Sequence, residues 1–212
     1  ETRRGLPGDP DPGQSRYIEA AVNGVLVAGL YAPNGNPYPG PKFDYKLAWL
    51  AQLAAHAQTL MASGQPVVIA GDFNIIPTDA DVYKPERWVD DALFRAEVKD
   101  AYAALLAAGW TDALRKLHPG ETIYTFWDYF RNAFARDAGL RIDHLLLSPA
   151  AAACLRAAEV DSFARAEAKV NATPSEAQIE AGNYQKGHLK WNGIDISIEN
   201  PKGGVRTGKH PD

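Results

Sequence analysis

The sequence predicts an α/β fold. Three observations carry that expectation: a hairpin signal near the start, amphipathic helices between apolar strands, and polar residues placed where those strands end. Tyr17 to Tyr31 alternates and then runs apolar around Asn23-Gly24, a dipeptide that favours a two-residue type I′ turn. This predicts a hairpin whose second strand stops at the Pro/Gly-rich loop Pro33 to Pro41. From Phe43 to Met61 the residues Phe43, Leu47, Leu50, Ala54, Ala57 and Met61 recur three or four apart. That spacing predicts a helix with one buried stripe, ended by Ser63-Gly64. Val67-Val68-Ile69-Ala70 is apolar throughout, the pattern of a central strand covered on both faces. A second helix is predicted from about Glu97 to Ala108, stopped by Gly109. Thr122 to Tyr129 is aromatic and strand-like, and Arg141 to Leu147 reads as a further strand. No segment repeats.

Composition narrows the class. The 212 residues include 22 basic and 26 acidic side chains, a net charge of −4. Proteins that hold nucleic acid by a charged face are usually basic, so the balance argues mildly against such a partner. It leaves room for bases confined to one rim of an acidic cleft. No apolar run nears the ~20 residues that cross a bilayer. Glu1 to Arg4 are charged with no apolar core behind them, which predicts no signal peptide. The sole cysteine, Cys154, has no partner for an internal disulfide and is expected as a small buried hydrophobe. Together these features predict a cytoplasmic protein with no membrane partner. The start at Glu1, followed by the loop-like Gly5 to Gly13, predicts a chain cut from something longer.

Gly71-Asp72-Phe73-Asn74 is the most informative motif. An apolar strand delivers a carboxylate and a carboxamide two residues apart, so both side chains can face one point. Gly71 allows a backbone or a substrate to come close. A carboxylate there can activate water or hold a hard cation, and an amide can orient the nucleophile or a phosphate oxygen. A plain loop cap stays open as the alternative, because Asp and Asn are common after strands. Asp143, set among aliphatics in Arg141-Ile142-Asp143-His144-Leu145, must be paired, ligated or at an open end. Orienting a catalytic His or a metal-bound water would explain it, and so would a buried pair with Arg141 or another base. His144 points to the opposite face, where a structural or solvent role is expected. Tyr31 ends the hairpin, where a phenol can hydrogen-bond a phosphate or simply pack. Phe126-Trp127-Asp128-Tyr129-Phe130 suits stacking on unpaired nucleotides, although ordinary core is the commoner use of such residues. Arg16 and Lys42 are single bases near these loops. The sequence has no Cys pairs for zinc, no Gly-rich phosphate loop and no Gly-x-Ser-x-Gly elbow.

In order, these segments resemble the exonuclease III / apurinic-apyrimidinic endonuclease branch of the endonuclease/exonuclease/phosphatase superfamily. The resemblance rests on Gly5-Leu6-Pro7-Gly8-Asp9, Gly29-Leu30-Tyr31-Ala32-Pro33-Asn34-Gly35, Lys42-Phe43, Gly71-Asp72-Phe73-Asn74-Ile75 with Pro77-Thr78-Asp79, Gly109-Trp110-Thr111-Asp112, Thr125-Phe126-Trp127-Asp128-Tyr129 and Gly139-Leu140-Arg141-Ile142-Asp143-His144. It covers residues 1 to about 168. It implies a four-layer α/β/β/α sandwich, here incomplete, with an irregular C-terminal extension. It also implies hydrolysis of phosphodiesters with magnesium, or manganese in its place, in double-stranded DNA at abasic sites or 3′ ends. By that likeness Asp72 activates the water or bears on the metal, and Asn74 orients the water or the phosphate, so both are candidate metal residues. Tyr31 contacts the phosphate and Asp143 orients a catalytic His. Phe126 and Trp127 help form the pocket for the baseless sugar, and Arg16 lies near the DNA backbone.

The sequence also departs from the family. The family's early strand with an Asn, its following strand with a metal-binding Glu, and its closing Ser-Asp-His motif have no counterpart. After Phe163 to Lys169 the sequence turns polar, and His188 and His210 stand in no Ser-Asp-His context. Residues 1–169 therefore read as a partial domain. Residues 170–212 read as an extension, either disordered or the start of a second domain. Within it a cap at Thr173-Pro174-Ser175, a strand-like Leu189 to Ile198 and a disordered tail from Asn200 are expected. Gly182-Asn183-Tyr184, Asp195-Ile196 and Ile198 to Pro201 faintly resemble the opening of a pyrophosphatase-like domain of phage-related proteins. The expected function is a magnesium-dependent DNA-repair phosphodiesterase of 3′–5′ exonuclease and abasic-site endonuclease type, a fragment with impaired activity. Two other classes compete: a non-catalytic DNA-binding or interaction remnant, and a phosphoesterase of a small phosphorylated substrate.

Overall fold

A computed structural model describes residues 2–128 and 130–161, and the backbone alone of 188–191 and 194–198. The hairpin forms where its turn dipeptide requires it. Strands β2 (Tyr17–Val22) and β3 (Val25–Tyr31) pair antiparallel, and Asn23 and Gly24 both take the positive φ of a type I′ turn, 50° and 84°. Helix α1 (Pro41–Ala62) then crosses over to β4 (Val67–Asp72), which lies parallel to β3. With β1 (Arg3–Arg4), β5 (Thr111–Asp112) and β8 (Asp143–Leu147) these strands form a six-stranded mixed sheet in the order β1-β2-β3-β4-β8-β5. The α/β expectation is met.

Period-two alternation in β4 gives the sheet two buried faces. Val67 and Ile69 pack with α1 and α2 (Ala96–Ala107) in the larger core. Val68 and Ala70 pack on the other face with Leu145 and Leu147 of β8, with α3 (Ala113–Leu117), α4 (Pro149–Ala152) and β9 (Leu155–Val160). Cys154 is partly buried against this second core. Strands β6 (Phe126–Trp127) and β7 (Gly139–Leu140) form a small separate ladder.

The structure corrects three local expectations. The buried stripe of α1 is Phe43, Lys46, Trp49, Leu50, Leu53, His56, Ala57 and Leu60, while Leu47, Ala54 and Met61 lie at its margin. Polar Lys46 and His56 hid the true centre of the stripe. Among the described residues of Thr122 to Tyr129, only Phe126–Trp127 is a strand, because Tyr124 and Trp127 pack locally with Ala133 and Phe134 rather than extending a sheet. The strand expected from Arg141 starts at Asp143, because the Arg141 amide donates to Asp81 O and Phe73 N donates to Ile142 O.

In the C-terminal segment β10 (His188–Trp191) and β11 (Ile194–Ile198) form an antiparallel hairpin, and β11 pairs with β9. The cap at Thr173-Pro174-Ser175 and the tail from Asn200 lie outside the described residues. Among the described residues no helix is long and apolar enough to cross a membrane.

Candidate active site

Register assembles the site. Tyr31 is the β3 partner of Asp72, and Asp72 is the β4 partner of Asp143. Directly paired residues on neighbouring strands share a face, and strands lie about 4.8 Å apart. The phenol and both carboxylates therefore stand in one row across three strands, at the end where β3 and β4 stop and β8 begins. Tyr31 is 55% exposed, Asp72 is half-buried and Asp143 is 1% exposed. Gly71 permits the close approach its sequence context suggests, and the approaching group is the neighbouring backbone. A Cβ at Gly71 would lie 2.0 Å from Leu30 O.

Asn74 sits in the turn that follows β4, with φ 51°. Its amide N–H donates to Asp72 Oδ1 at 2.7 Å, its Nδ2 donates to Ala32 O at 2.9 Å, and its Oδ1 accepts from Asn34 Nδ2 at 3.2 Å. This is an Asx-type cap, so the motif caps its own loop while it places two polar side chains at the site. Below the turn lies Lys46, 0% exposed, donating to the carbonyls of Asn34, Asn74 and Ala92. Burial pushes its ammonium down to about 7, opposed by the charges of Asp91 and Asp72. Three donors facing three carbonyls are the arrangement of the charged form.

A buried ionic network supports the start of β8. Arg141 reaches Asp81 with Nε at 2.7 Å and Nη2 at 3.2 Å, and Asp112 with Nη1 at 2.7 Å. Its carboxylate partners are thus Asp81 and Asp112. Tyr102 OH donates to Asp112 Oδ2, and Arg115 also meets Asp81. Burial works to raise the Asp81 carboxyl, but hydrogen bonds and charge from Arg141, with Arg115 and Thr78, hold it down at about 2. His144, facing the helices, accepts from Arg141 at Nδ1 (3.0 Å) and meets Ile75 O through Nε2 (2.9 Å). A guanidinium only donates, so Nδ1 is the acceptor and Nε2 carries the hydrogen. Burial first, then the Arg141 charge, pushes this imidazole down to about 4. The structural role expected of His144 is what the geometry shows.

The residues assigned to DNA divide. Arg16 donates to Tyr31 O at 3.2 Å and lies 5.5 Å from the Tyr31 ring centre, beside the row. Phe126 is half-buried. Trp127 is 9% exposed, packs on Tyr124 and Phe134, and donates its indole N–H to Asp137 at 3.0 Å. Tyr129 lies outside the described residues. Nothing local in the sequence announces a neighbouring groove of about 690 Å³ whose walls include Lys84, Arg87, Arg131, Arg136, Trp88 and Phe130, with Asp128 the one carboxylate among the described residues of its lining. Gly139 and Leu140, just before Asp143 in the chain, form part of this lining. The bases come from two separate loops, so no run of charge marked them in the sequence. Lys46 did leave a signal, a lysine in the middle of an apolar stripe.

Among the described residues no three His, Cys, Asp or Glu side chains form a group that could hold a metal. Asp72 offers one hard oxygen ligand at the open end of the row. The Asn74 carbonyl oxygen is already engaged by Asn34. A magnesium ion is commonly held by one or two carboxylates with waters and substrate phosphate, so Asp72 fits as one such ligand.

The profile of the endonuclease/exonuclease/phosphatase family matches residues 1–175. The chain belongs to this family. Exodeoxyribonuclease III of Haemophilus influenzae is 33% identical over 158 residues, 69% of this chain and 59% of that protein. The DNA repair nuclease APEX1 of Danio rerio is 32% identical over 138 residues, 65% of this chain and 44% of that protein. The chain thus spans about half the length of such relatives. Among solved structures, the 3′-5′ exonuclease NExo from Neisseria meningitidis superposes with a TM-score of 0.75 at 36% identity, covering 93% of this chain and 69% of that one. An AP endonuclease from Archaeoglobus fulgidus gives 0.73 at 33% identity, covering 77% and 64%. The Neisseria 3′ phosphatase NExo has also been solved bound to a product DNA hairpin. The inorganic pyrophosphatase profile matches residues 176–212.

Proposed function

We propose that this family member carries the substrate-facing row of a magnesium-dependent DNA phosphodiesterase that acts at abasic sites and 3′ ends, and that the 212-residue chain itself turns over at background level. The observation that carries the reading is the register of Tyr31, Asp72 and Asp143 with Asn74 at its edge. Asp72 would hold the divalent cation, which supplies charge stabilisation to the phosphoryl oxygens. The exposed Tyr31 phenol donates to a phosphate oxygen, with Arg16 fixing its position. The Asn74 amide orients the phosphate or the attacking water. Asp143 would orient a catalytic imidazole, and because the sequence has no Ser-Asp-His segment to bring one, slow turnover is the expected behaviour of this chain. The groove of Lys84, Arg87, Arg131 and Arg136 offers a positive seat for the strand beside the row. We further propose that residues 170–212 begin a second, pyrophosphatase-like unit, which the profile over 176–212 supports.

Anisotropy with a duplex containing one tetrahydrofuran abasic analogue, in magnesium, tests the reading. The chain should bind it several-fold more tightly than intact duplex, with cleavage at the no-protein rate. Equal affinity for the two duplexes would remove the substrate assignment. Robust magnesium-dependent cleavage that falls by about two orders of magnitude in Asp72→Asn would uphold the site and refute the inactivity of the chain.

A further inference from the structure

We infer that Lys46 is a positioning residue for Asn74, acting with His144 through the backbone of the turn that carries it; this rests on the role proposed for Asn74 above. Asn74 holds a positive φ, a conformation that Asn tolerates and most residues avoid. Such a turn stays in place only when its surroundings determine it. Here two successive carbonyls are held from the helix side of the sheet. Asn74 O accepts from Lys46 Nζ and Ile75 O accepts from His144 Nε2.

Lys46 does more than hold one peptide. Its other two N–H groups reach Asn34 O at 3.0 Å and Ala92 O at 3.2 Å. The three carbonyls belong to three different loops, those after β3, after β4 and before α2. Side chains lace the same loops together. Asn34 Nδ2 donates to Asn74 Oδ1, Asn36 Nδ2 donates to Asp91 Oδ1, and Ala92 N donates to Asn36 Oδ1. Lys46 is thus the hub that sets the distance between Ala32 and Asn74, and with it the direction of the Asn74 amide. The ammonium is fully buried. It therefore meets no substrate, and its effect must travel through Asn74.

The space around Gly35 shows how closely the loops surround this side chain. A Cβ there would lie 2.8 Å from Lys46 Cδ and 3.2 Å from Ala92 Cβ. The loop after β3 can pass over the lysine only because position 35 is glycine.

The test uses the 212-residue chain with Lys46→Met, Lys46→Arg, Asn74→Ala and the double variant Lys46→Met/Asn74→Ala. The first readout is NMR of the Asn74 side-chain amide, whose Nδ2–H donates to Ala32 O. Lys46→Met should cut its protection from exchange by about tenfold or more while the amides of Val68 and Ile69 keep theirs. Lys46→Arg, which keeps charge and donors, should lose less, and it serves as the measure if Lys46→Met does not fold. The second readout is binding of the tetrahydrofuran duplex in magnesium. Lys46→Met and Asn74→Ala should each weaken it roughly three- to tenfold, and the double variant should be no weaker than the worse single one. A lysine acting merely through its charge would instead add its loss to that of Asn74→Ala. Unchanged protection of the Asn74 amide, or additive losses in the double variant, would overturn the inference. If Asn74→Ala leaves binding unchanged, the role proposed for Asn74 fails, and the exchange data still decide whether Lys46 holds the turn.

Discussion

At the scale of single residues, Gly71 shows why the row is placed so firmly. β3 and β4 are parallel neighbours with Leu30 opposite Gly71, and the glycine has φ 153° with Leu30 O where a Cβ would stand. No rotamer relieves a clash with backbone. Gly71→Ala must push β3 and β4 apart next to Tyr31 and Asp72. A loss of about 3 kcal/mol or more is expected, in the range of strongly destabilising substitutions. Urea unfolding measures it, and a loss below about 1 kcal/mol would mean that the strands part without resistance.

At the scale of elements, the loop before α2, the entry to α3 and the start of β8 are joined through Arg141, Asp81, Asp112 and His144. The network makes stability depend on pH in a defined direction. His144 has an ordinary value of 6.5 and a folded value of about 4. Its folded pKa is depressed, so the unfolded chain takes up the proton first. The contribution of His144 is therefore complete above pH 6.5 and is lost as pH falls from 6.5 towards 4. It amounts to roughly 3 kcal/mol by the usual conversion of a pKa difference. His118 is raised by its hydrogen bond to Glu121 and works in the opposite sense. A comparison of wild type with His144→Gln cancels that effect. The wild type should lose stability between pH 6.5 and 4, and His144→Gln should show a flatter slope over the same window. Parallel slopes would mean that His144 is already protonated in the folded chain.

At the scale of the whole molecule, charge distribution matters more than net charge. The chain is acidic overall at −4, yet Lys84, Arg87, Arg131 and Arg136 line one groove, where Asp128 is the single carboxylate among the described residues. Phe130, 75% exposed, stands at the same place. If this groove seats the DNA backbone, Arg87→Gln and Arg131→Gln should each weaken binding of abasic and intact duplex alike. Each should also reduce the slope of log affinity against log salt by about one. Unchanged slopes would place the DNA elsewhere. A net charge of −4 argues only mildly against a nucleic-acid partner, because a binding face needs only a local excess of bases.

The sequence by itself determined the elements whose causes are local. The Asn23-Gly24 turn, the apolar run of β4, the end of α1 at Ser63 and the carboxylate–carboxamide spacing of Asp72 and Asn74 are all encoded within a few residues of where they act. The alternation in β4 and β8 even told which side chains share a face, and so set Asp143 apart from His144. Tertiary structure decided the rest. It chose the partner of Arg141, because Asp81 and Asp112 are distant in sequence and nothing local ranks them above Asp143. It turned Trp127 into a packed side chain, since burial depends on Phe134 folding back over it. It gathered the groove bases from two loops. It also made Lys46 a ligand of three carbonyls, since a lysine on an apolar stripe announces that it is buried and not what it is buried against. Spacing along the chain fixes what a residue can face, whereas register between strands and closure of loops fix what it meets.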